Sequence, residues 1–356
     1  QLHGVKIEHT DDGVMSLDPS NVASARMIDI DAHAGSSRIP ILFCGPLLHR
    51  LGEAFIPGLG GCHIGDRPID YHFEVLRNFG AVIEELENGT RLSAPKGLKG
   101  AKISLPYPSV GATEQVLLTA TRAEGLTELS GAAIEPEIMD LIAILQKMGA
   151  IISVDTDRVI RIEGVNKLKG YTHRALFDRN EAASWASAAL ATEGDIFVGG
   201  ARQEELLTFL NIFRKVGGAF EIEDDGIRFW HPGGDLKPVV LETDVHPGFM
   251  TDWQQPLVVA LTQAKGLRSS MRPSMKTVSV SPTRSFRWVL RFRFIRNASA
   301  APPAVLVSAT STTRRLSLAR LRCTQLTSES LIFVVDSATW LPRWQLRAPQ
   351  TSLTFS

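Results

Sequence analysis

The chain has 356 residues but only three cysteines, Cys44, Cys62 and Cys323. They are too few and too far apart for a disulfide framework or a cysteine-rich zinc site, so any cysteine that matters would act as a free thiol. The chain also lacks a run of 18 or more apolar residues, and no basic-then-apolar leader opens it. A cytoplasmic location without a membrane partner is therefore expected. Glycine occurs 29 times before Arg268 and never in the 89 residues from Arg268 onward. Chains need glycine for turns and helix caps, so that last segment is a poor candidate for a compact domain. Acidic residues are missing there too: residues 1–267 carry 24 basic and 36 acidic side chains, against 14 and 2 in residues 268–356. Arg291, Arg293 and Arg296 among Phe and Trp offer a basic nucleic-acid-binding tail as a competing reading, but no nucleic-acid partner is expected.

What the first 267 residues do contain is a repeat. Three helix-like runs end at glycine and lead into an alternating, acidic, strand-like stretch: FEVLRNFGAVIEELENG, IAILQKMGAIISVDTD and LNIFRKVGGAFEIEDDG. Gly80, Gly149 and Gly217 mark equivalent places about 70 residues apart, and residues 2–13 read as the tail of a further copy. In each copy apolar residues at helical spacing, such as Phe73, Leu76 and Phe79, form one face, glycine ends the helix, and period-two alternation follows. Asn88-Gly89 predicts a tight hairpin turn. A second helix-like run precedes each copy, as in Gln115–Ala123 and Ala182–Thr192. Repeated β-α-β-β units predict an α/β (α+β) fold with helices packed on sheets.

The most unusual local segment is PGLGGCHIGDRPIDYH, residues 57–72. Four glycines around Cys62 describe a tightly turned or mobile loop leading into a helix at about Asp70. Such a loop exposes the thiol, and Arg67 nearby favours thiolate or anionic-ligand chemistry. The same pattern reads equally as a structural glycine loop. Cys44, inside the apolar run 39–48, reads as a small buried residue.

The segment GGCHIGDRPIDYH, with PSVGAT at 108–113, EPEI at 135–138, DRNE at 178–181 and HPGFMTD at 246–252, resembles the enolpyruvyl transferase family, on its UDP-N-acetylglucosamine 1-carboxyvinyltransferase branch. The loop cysteine separates that branch from the shikimate-pathway one. The resemblance implies an inside-out α/β barrel made of two similar domains, each of three repeated units. It also implies transfer of the enolpyruvyl group of phosphoenolpyruvate to the 3-hydroxyl of UDP-N-acetylglucosamine with release of phosphate, an early step of peptidoglycan synthesis. No metal or other cofactor is implied, and the oligomeric state is left open. By the family's motifs Cys62 is the loop acid or covalent nucleophile and Asp252 stands beside the attacking hydroxyl. Arg38 and Arg67 match arginines around the anionic groups, where a planar fork suits phosphate and carboxylate. Pro68, Ile69, Asp70 and Tyr71 match the uridine-binding stretch, and Ser109, Val110 and Gly111 open a helix that receives the diphosphate. Asp178 and Arg179 are carried over as substrate-binding, although the pair also reads as a surface ion pair. Glu135 and Glu137 read equally as helix-capping residues.

This chain departs from the family at Tyr107 and Pro108, where many members have Lys-Val, and at Tyr71, which replaces an aliphatic residue. The family's amino-terminal Lys-Asn pair for phosphoenolpyruvate is missing. The resemblance stops after Leu267. Met271–Pro282 can be encoded so that reading from the third base gives ATVYENRFGFT, the family's continuation, and 329–344 yields IPDLRGGFS in the same shift. The sequence therefore predicts a lost base near codon 268, a first repeat domain over residues 1–175, a partial second over 176–267, and an out-of-frame tail over 268–356 without a packed core.

Overall fold

The computed structural model describes residues 5–10, 14–22, 38–57 and 69–264, and the backbone of strands between 270 and 336. The chain forms two units, 1–176 and 177–356. In the first, the antiparallel hairpin β1 (Lys6–His9) and β2 (Met15–Asp18) is followed, after a 3-10 helix (Ile39–Phe43), by α1 (Cys44–Leu51), β3 (Glu53–Pro57), α2 (Asp70–Asn78), β4 (Val82–Leu86) and β5 (Gly89–Ser93). Then come β6 (Lys102–Ser104), α3 (Val110–Ala120), β7 (Leu126–Ser130), α4 (Pro136–Lys147), β8 (Ile151–Asp155) and β9 (Val159–Glu163). The second unit holds α5 (Arg179–Ala191), β10 (Asp195–Gly199), α6 (Gln203–Val216), β11 (Ala219–Glu223), β12 (Gly226–Trp230), β13 (Val240–Thr243), α7 (Gln254–Leu261) and β14 (Ser270–Pro273).

Three copies of one α-β-α-β-β unit are visible in this order. Their sheets run β3-β5-β4, β7-β9-β8 and β10-β12-β11, each with the last strand in the middle and each antiparallel. Strand β6 adds to β7 in parallel, and β13 pairs in parallel with β14. The described sheets remain separate, and none closes into a barrel.

The glycines at 80, 149 and 217 explain how each helix is turned into its hairpin. All three have positive φ, 96°, 101° and 117°, where a side chain would be strained. At each one the N–H bonds three residues back, to Arg77, Gln146 and Arg214, and the next N–H reaches five back, to Leu76, Leu145 and Phe213. That pair of bonds is the Schellman closure, which satisfies the helix's last carbonyls and sends the chain back along the sheet. The hairpin after α2 turns at Glu87-Asn88, one residue earlier than the sequence suggests, because Leu86 already pairs with Gly89.

Helices lie inside and sheets outside. In the first unit α3 packs against α1, α2 and α4 and buries Ala112, Val116, Leu117 and Ala120 completely. The outer strand faces stay open, with Val82, Leu126 and Ile151 more than half exposed. The second unit's core is aromatic: Phe209, Phe213, Phe229, Phe249 and Trp253 are at most 2% exposed. Phe213–Phe229 and Phe249–Trp253 meet edge-on at 5.4 Å between centroids, a geometry that adds about 1 kcal/mol per pair to simple burial.

The third residue of each central strand is an arginine that pairs with an acid on the neighbouring strand: Arg91 with Glu53 at 3.1 Å, Arg161 with Glu128 at 2.9 Å, and Arg228 with Asp195 at 2.6 Å. These pairs are exposed or half-buried and add little to stability. Beyond β14 the backbone forms β15 (Val289–Ile295), β16 (Ala304–Ser311), β17 (Arg314–Arg315), β18 (Ala319–Leu326) and β19 (Ser330–Asp336), in the order β15-β16-β18-β19 with β17 on β16. The expectation that this segment has no packed core concerns side chains outside the described residues.

Candidate functional site

In the first unit, α2 and α3 pack together and begin near one another. Ile69 precedes α2, and its carbonyl accepts the N–H groups of His72 and Phe73 at 3.1 and 3.2 Å. Ile69 and Tyr71 rest, partly buried, on the core, which leaves Asp70 exposed in the first turn. Tyr71 thus takes the packing position an aliphatic residue would fill. Ser109 is the N-cap of α3: its hydroxyl accepts the Ala112 N–H at 3.3 Å, and its carbonyl accepts the Thr113 N–H at 3.0 Å and hydroxyl at 2.8 Å. Val110 and Gly111 follow in the first turn, where N–H groups have no acceptor within the helix. Tyr107 and Val110 are each 37% exposed beside them.

The ring of His72 lies against this helix start. A Cβ on Gly111 would stand 3.0 Å from His72 Nε2, so glycine is what lets the ring approach. His72 Nδ1 is 3.3 Å from Gln115 Oε1, Gln115 Nε2 donates to Thr119 Oγ1 at 3.3 Å, and that hydroxyl donates to the Gln115 carbonyl at 2.6 Å. Gln115 and Thr119 are fully buried. The chain continues to His49 on α1, whose Nε2 donates to the Thr119 carbonyl at 2.7 Å. Burial pulls both imidazoles below their ordinary value. For His72 the Gln115 bond and Asp70 oppose this while Arg38 adds to it; for His49 the Thr119 bond opposes and Arg122 adds. Burial, with Glu137 adding, raises Glu114 on α3.

This network escaped the sequence reading. The available signal was Gln115 and Thr119 at helical spacing on an otherwise apolar run, together with a histidine directly after the Asp70-Tyr71 pair. Arg38 sits at the start of the 3-10 helix. Cys62, Arg67 and Pro68 lie outside the described residues. Cys44 is completely buried, and burial raises its thiol far above the reactive range. Glu135 precedes Pro136 at the start of α4 without a side-chain capping bond, and Glu137 is in the first turn. Among the described residues no group of three or more His, Cys, Asp or Glu is placed to hold a metal, and no helix is long and apolar enough to cross a membrane.

In the second unit Asp178 caps α5, accepting the N–H groups of Asn180 at 2.8 Å and Glu181 at 3.2 Å. Arg179 is 2% exposed. Its Nη1 lies 3.5 Å from both the Glu205 carbonyl and His246 Nδ1, and its guanidinium is 5.5 Å from the centre of the Trp253 ring. Asp252 is exposed in the adjoining 3-10 helix Thr251–Trp253. Arg179 therefore braces the segment that carries Asp252. Around the start of α5 a shallow pocket is lined by Phe177, Asp178, Arg179, Trp185, Val198 and Glu205. Asp70 and Ser109–Gly111 thus belong to the first unit, and Asp178, Arg179 and Asp252 to the second.

Comparison with known proteins agrees with this architecture. The chain is 51% identical over 238 residues to UDP-N-acetylglucosamine 1-carboxyvinyltransferase of Protochlamydia amoebophila, covering 65% of this chain and 51% of that one. With the protein of the same name from Chlamydia pneumoniae it shares 48% over 231 residues, 65% of this chain and 50% of the relative. The chain spans about half the length of these relatives. Its fold is similar to the enolpyruvyl transferase NikO from Streptomyces tendae, with TM-score 0.67 and 17% identity over 78% of this chain and 66% of that one. EPSP synthase from Acinetobacter baumannii gives 0.53 and 20% over 72% and 58%. The sequence pattern of EPSP synthase (3-phosphoshikimate 1-carboxyvinyltransferase) matches residues 3–272, and the chain belongs to that family.

Proposed function

We propose that this protein transfers the enolpyruvyl group of phosphoenolpyruvate to the 3-hydroxyl of UDP-N-acetylglucosamine, releasing phosphate for peptidoglycan synthesis in the bacterial cytoplasm. The observation that carries the reading is the pair of helix starts, α2 and α3. Asp70 is exposed in the first turn of α2, and α2 packs on α3, whose first-turn N–H groups belong to Val110 and Gly111, in a chain whose relatives are named for a uridine diphosphate sugar. A carboxylate can accept the uracil ring N–H, and a helix start receives phosphate oxygens through N–H groups and the helix dipole. Pro68, Ile69 and Tyr71 complete the nucleoside contact. Arg38 and Arg67 hold the anionic groups, Cys62 protonates or adds to phosphoenolpyruvate, and Asp252 takes the sugar hydroxyl's proton. Asp178 and Arg179 act on the sugar side, Arg179 through its brace on the segment bearing Asp252.

The test is phosphate release in the presence of both substrates. Release that requires both and falls at least a hundredfold in Cys62→Ser supports the transfer reading, since removing one such group costs about 3 kcal/mol of barrier stabilisation. A second reading is an inactive fragment or sugar-nucleotide-binding relic without turnover. Binding of UDP-N-acetylglucosamine with no phosphate release would establish that reading and overturn the first.

A further inference from the structure

We propose that His72 takes up a proton when the diphosphate of a nucleotide sugar docks on the first turn of α3, so that affinity for the nucleotide sugar falls as pH rises. The inference rests on the reading of α2 and α3 as the nucleotide site and adds its regulation by pH.

The hydrogen-bond chain fixes which ring nitrogen carries the hydrogen. The Thr119 hydroxyl gives its proton to the Gln115 carbonyl, so its oxygen can only accept from the Gln115 amide nitrogen. That orients the amide so that Oε1 points back at His72, and Oε1 is purely an acceptor. Neutral His72 is therefore protonated on Nδ1 and presents the bare lone pair of Nε2. The Nε2–Cε1 edge of the ring lies against Gly111, where a Cβ would stand 3.0 Å from Nε2 and 3.1 Å from Cε1. An anion held by the first-turn N–H groups of α3 would bring its negative charge close to this edge of the ring. Oxygen lone pairs repel a neutral Nε2 and accept a hydrogen bond from a protonated one, which is about twice as strong as a neutral bond. A solvent proton added to Nε2 leaves the Nδ1–H bond to Gln115 intact, so the ring changes charge without moving.

The charged neighbours make the device responsive. Arg38, from the 3-10 helix, opposes protonation of the ring and Asp70, on its own helix, favours it, while α3 presents only the neutral Gln115 and Gly111. Burial and Arg38 bias the imidazole towards its neutral form, and a bound diphosphate would reverse the local field. Linkage then requires proton uptake on binding and tighter binding at lower pH.

The test is calorimetric titration of the whole chain with UDP-N-acetylglucosamine, whose diphosphate diester does not itself titrate between about pH 5.5 and 8.5. Buffers of different ionisation enthalpy report the protons taken up, and uridine serves as the control without phosphates. Uptake of about half a proton near neutral pH is expected, with affinity falling about tenfold from pH 6 to 8. His72→Gln should bind with pH-independent affinity and no uptake. Gln115→Leu, which leaves the ring in place but frees its tautomer, should show reduced uptake. The His72 ring nitrogen signals should shift to the protonated form on adding UDP-N-acetylglucosamine and stay neutral with uridine. Binding without proton uptake, or uptake that survives in His72→Gln, would overturn this inference and leave the nucleotide site standing. No binding at any pH would overturn both.

Discussion

Helices α3 and α5 occupy the same place in successive copies of one repeat, yet their first turns are built in opposite ways. At α3 the cap is a neutral serine, the next two residues are Val110 and Gly111, and an imidazole lies beside them. At α5 the cap is the carboxylate of Asp178, which takes two backbone N–H groups for itself, and the next residue is an arginine buried to 2% exposure. Any helix start attracts anions, but a carboxylate cap already holds the negative charge that the dipole favours. Of these two starts, the serine-capped one has no acid at its cap, which suits the proposed phosphate site. The repeat therefore supplies the scaffold, and the cap residue decides which copy is receptive and which is braced.

The largest effect should come from unbracing α5. Arg179→Ala leaves Trp253 without its cation partner and removes the donor shared by the Glu205 carbonyl and His246. Burial leaves little water to replace it, so the second unit should lose about 3 kcal/mol in urea unfolding followed by tryptophan fluorescence. Arg179→Lys should recover part of this, because an ammonium donates but does not stack as a planar fork does. Stability unchanged in Arg179→Ala would mean that the charge is held in solvent and that the two helix starts do not differ as described.

The comparison can be broken more directly by exchanging the caps. Aspartate and serine cap helices about equally well, so Ser109→Asp should change stability by less than about 0.5 kcal/mol. It should nevertheless weaken UDP-N-acetylglucosamine binding about tenfold or more, because the carboxylate fills the field meant for phosphate. Asp178→Ser should confer no new anion site, since Arg179 remains turned into the core. Equal affinity in Ser109→Asp and the parent chain, measured by calorimetry, would show that the nucleotide's phosphates sit elsewhere.

Much of this scaffold was legible in the sequence because its determinants are local. A glycine that must adopt positive φ after an amphipathic run shows up as the spacing of Gly80, Gly149 and Gly217, and the structure closes all three helices in the same way. Ser109 and the start at Asp70 were legible for the same reason. The His72–Gln115–Thr119–His49 network was not, since it joins three helices whose residues are up to 70 positions apart. Nor was the difference between the caps, because DRNE looks like a surface pair until the packing of α6 and Trp253 around Arg179 is known. The glycine-free segment sets the opposite limit. The family match ends at residue 272, and we propose that the residues after about 267 are read out of frame. Resequencing the gene around codon 268 and finding no missing base would refute this.

The smallest effect separates the two units by acid. Three groups around α3 or its neighbour α1 are shifted: His49 and His72 are lowered from 6.5 and Glu114 is raised from 4.5, all chiefly by burial. An imidazole lowered in the fold binds its proton more readily in the unfolded chain, so the stability of the first unit is full above about pH 6.5 and falls with acid as pH drops through the folded values. Glu114 has the opposite sign: its contribution is present below about pH 4.5 and is lost as pH rises through its folded value. His49→Gln isolates one group, because glutamine can still donate to the Thr119 carbonyl but cannot titrate. Relative to the parent chain it should flatten the dependence of the urea midpoint on pH between about 5 and 7 by up to one proton, and the Glu114 contribution cancels in that difference. An identical pH dependence in the two proteins would show that His49 carries the same proton affinity folded and unfolded, and acid sensitivity would then no longer distinguish the network around α3 from the braced start of α5.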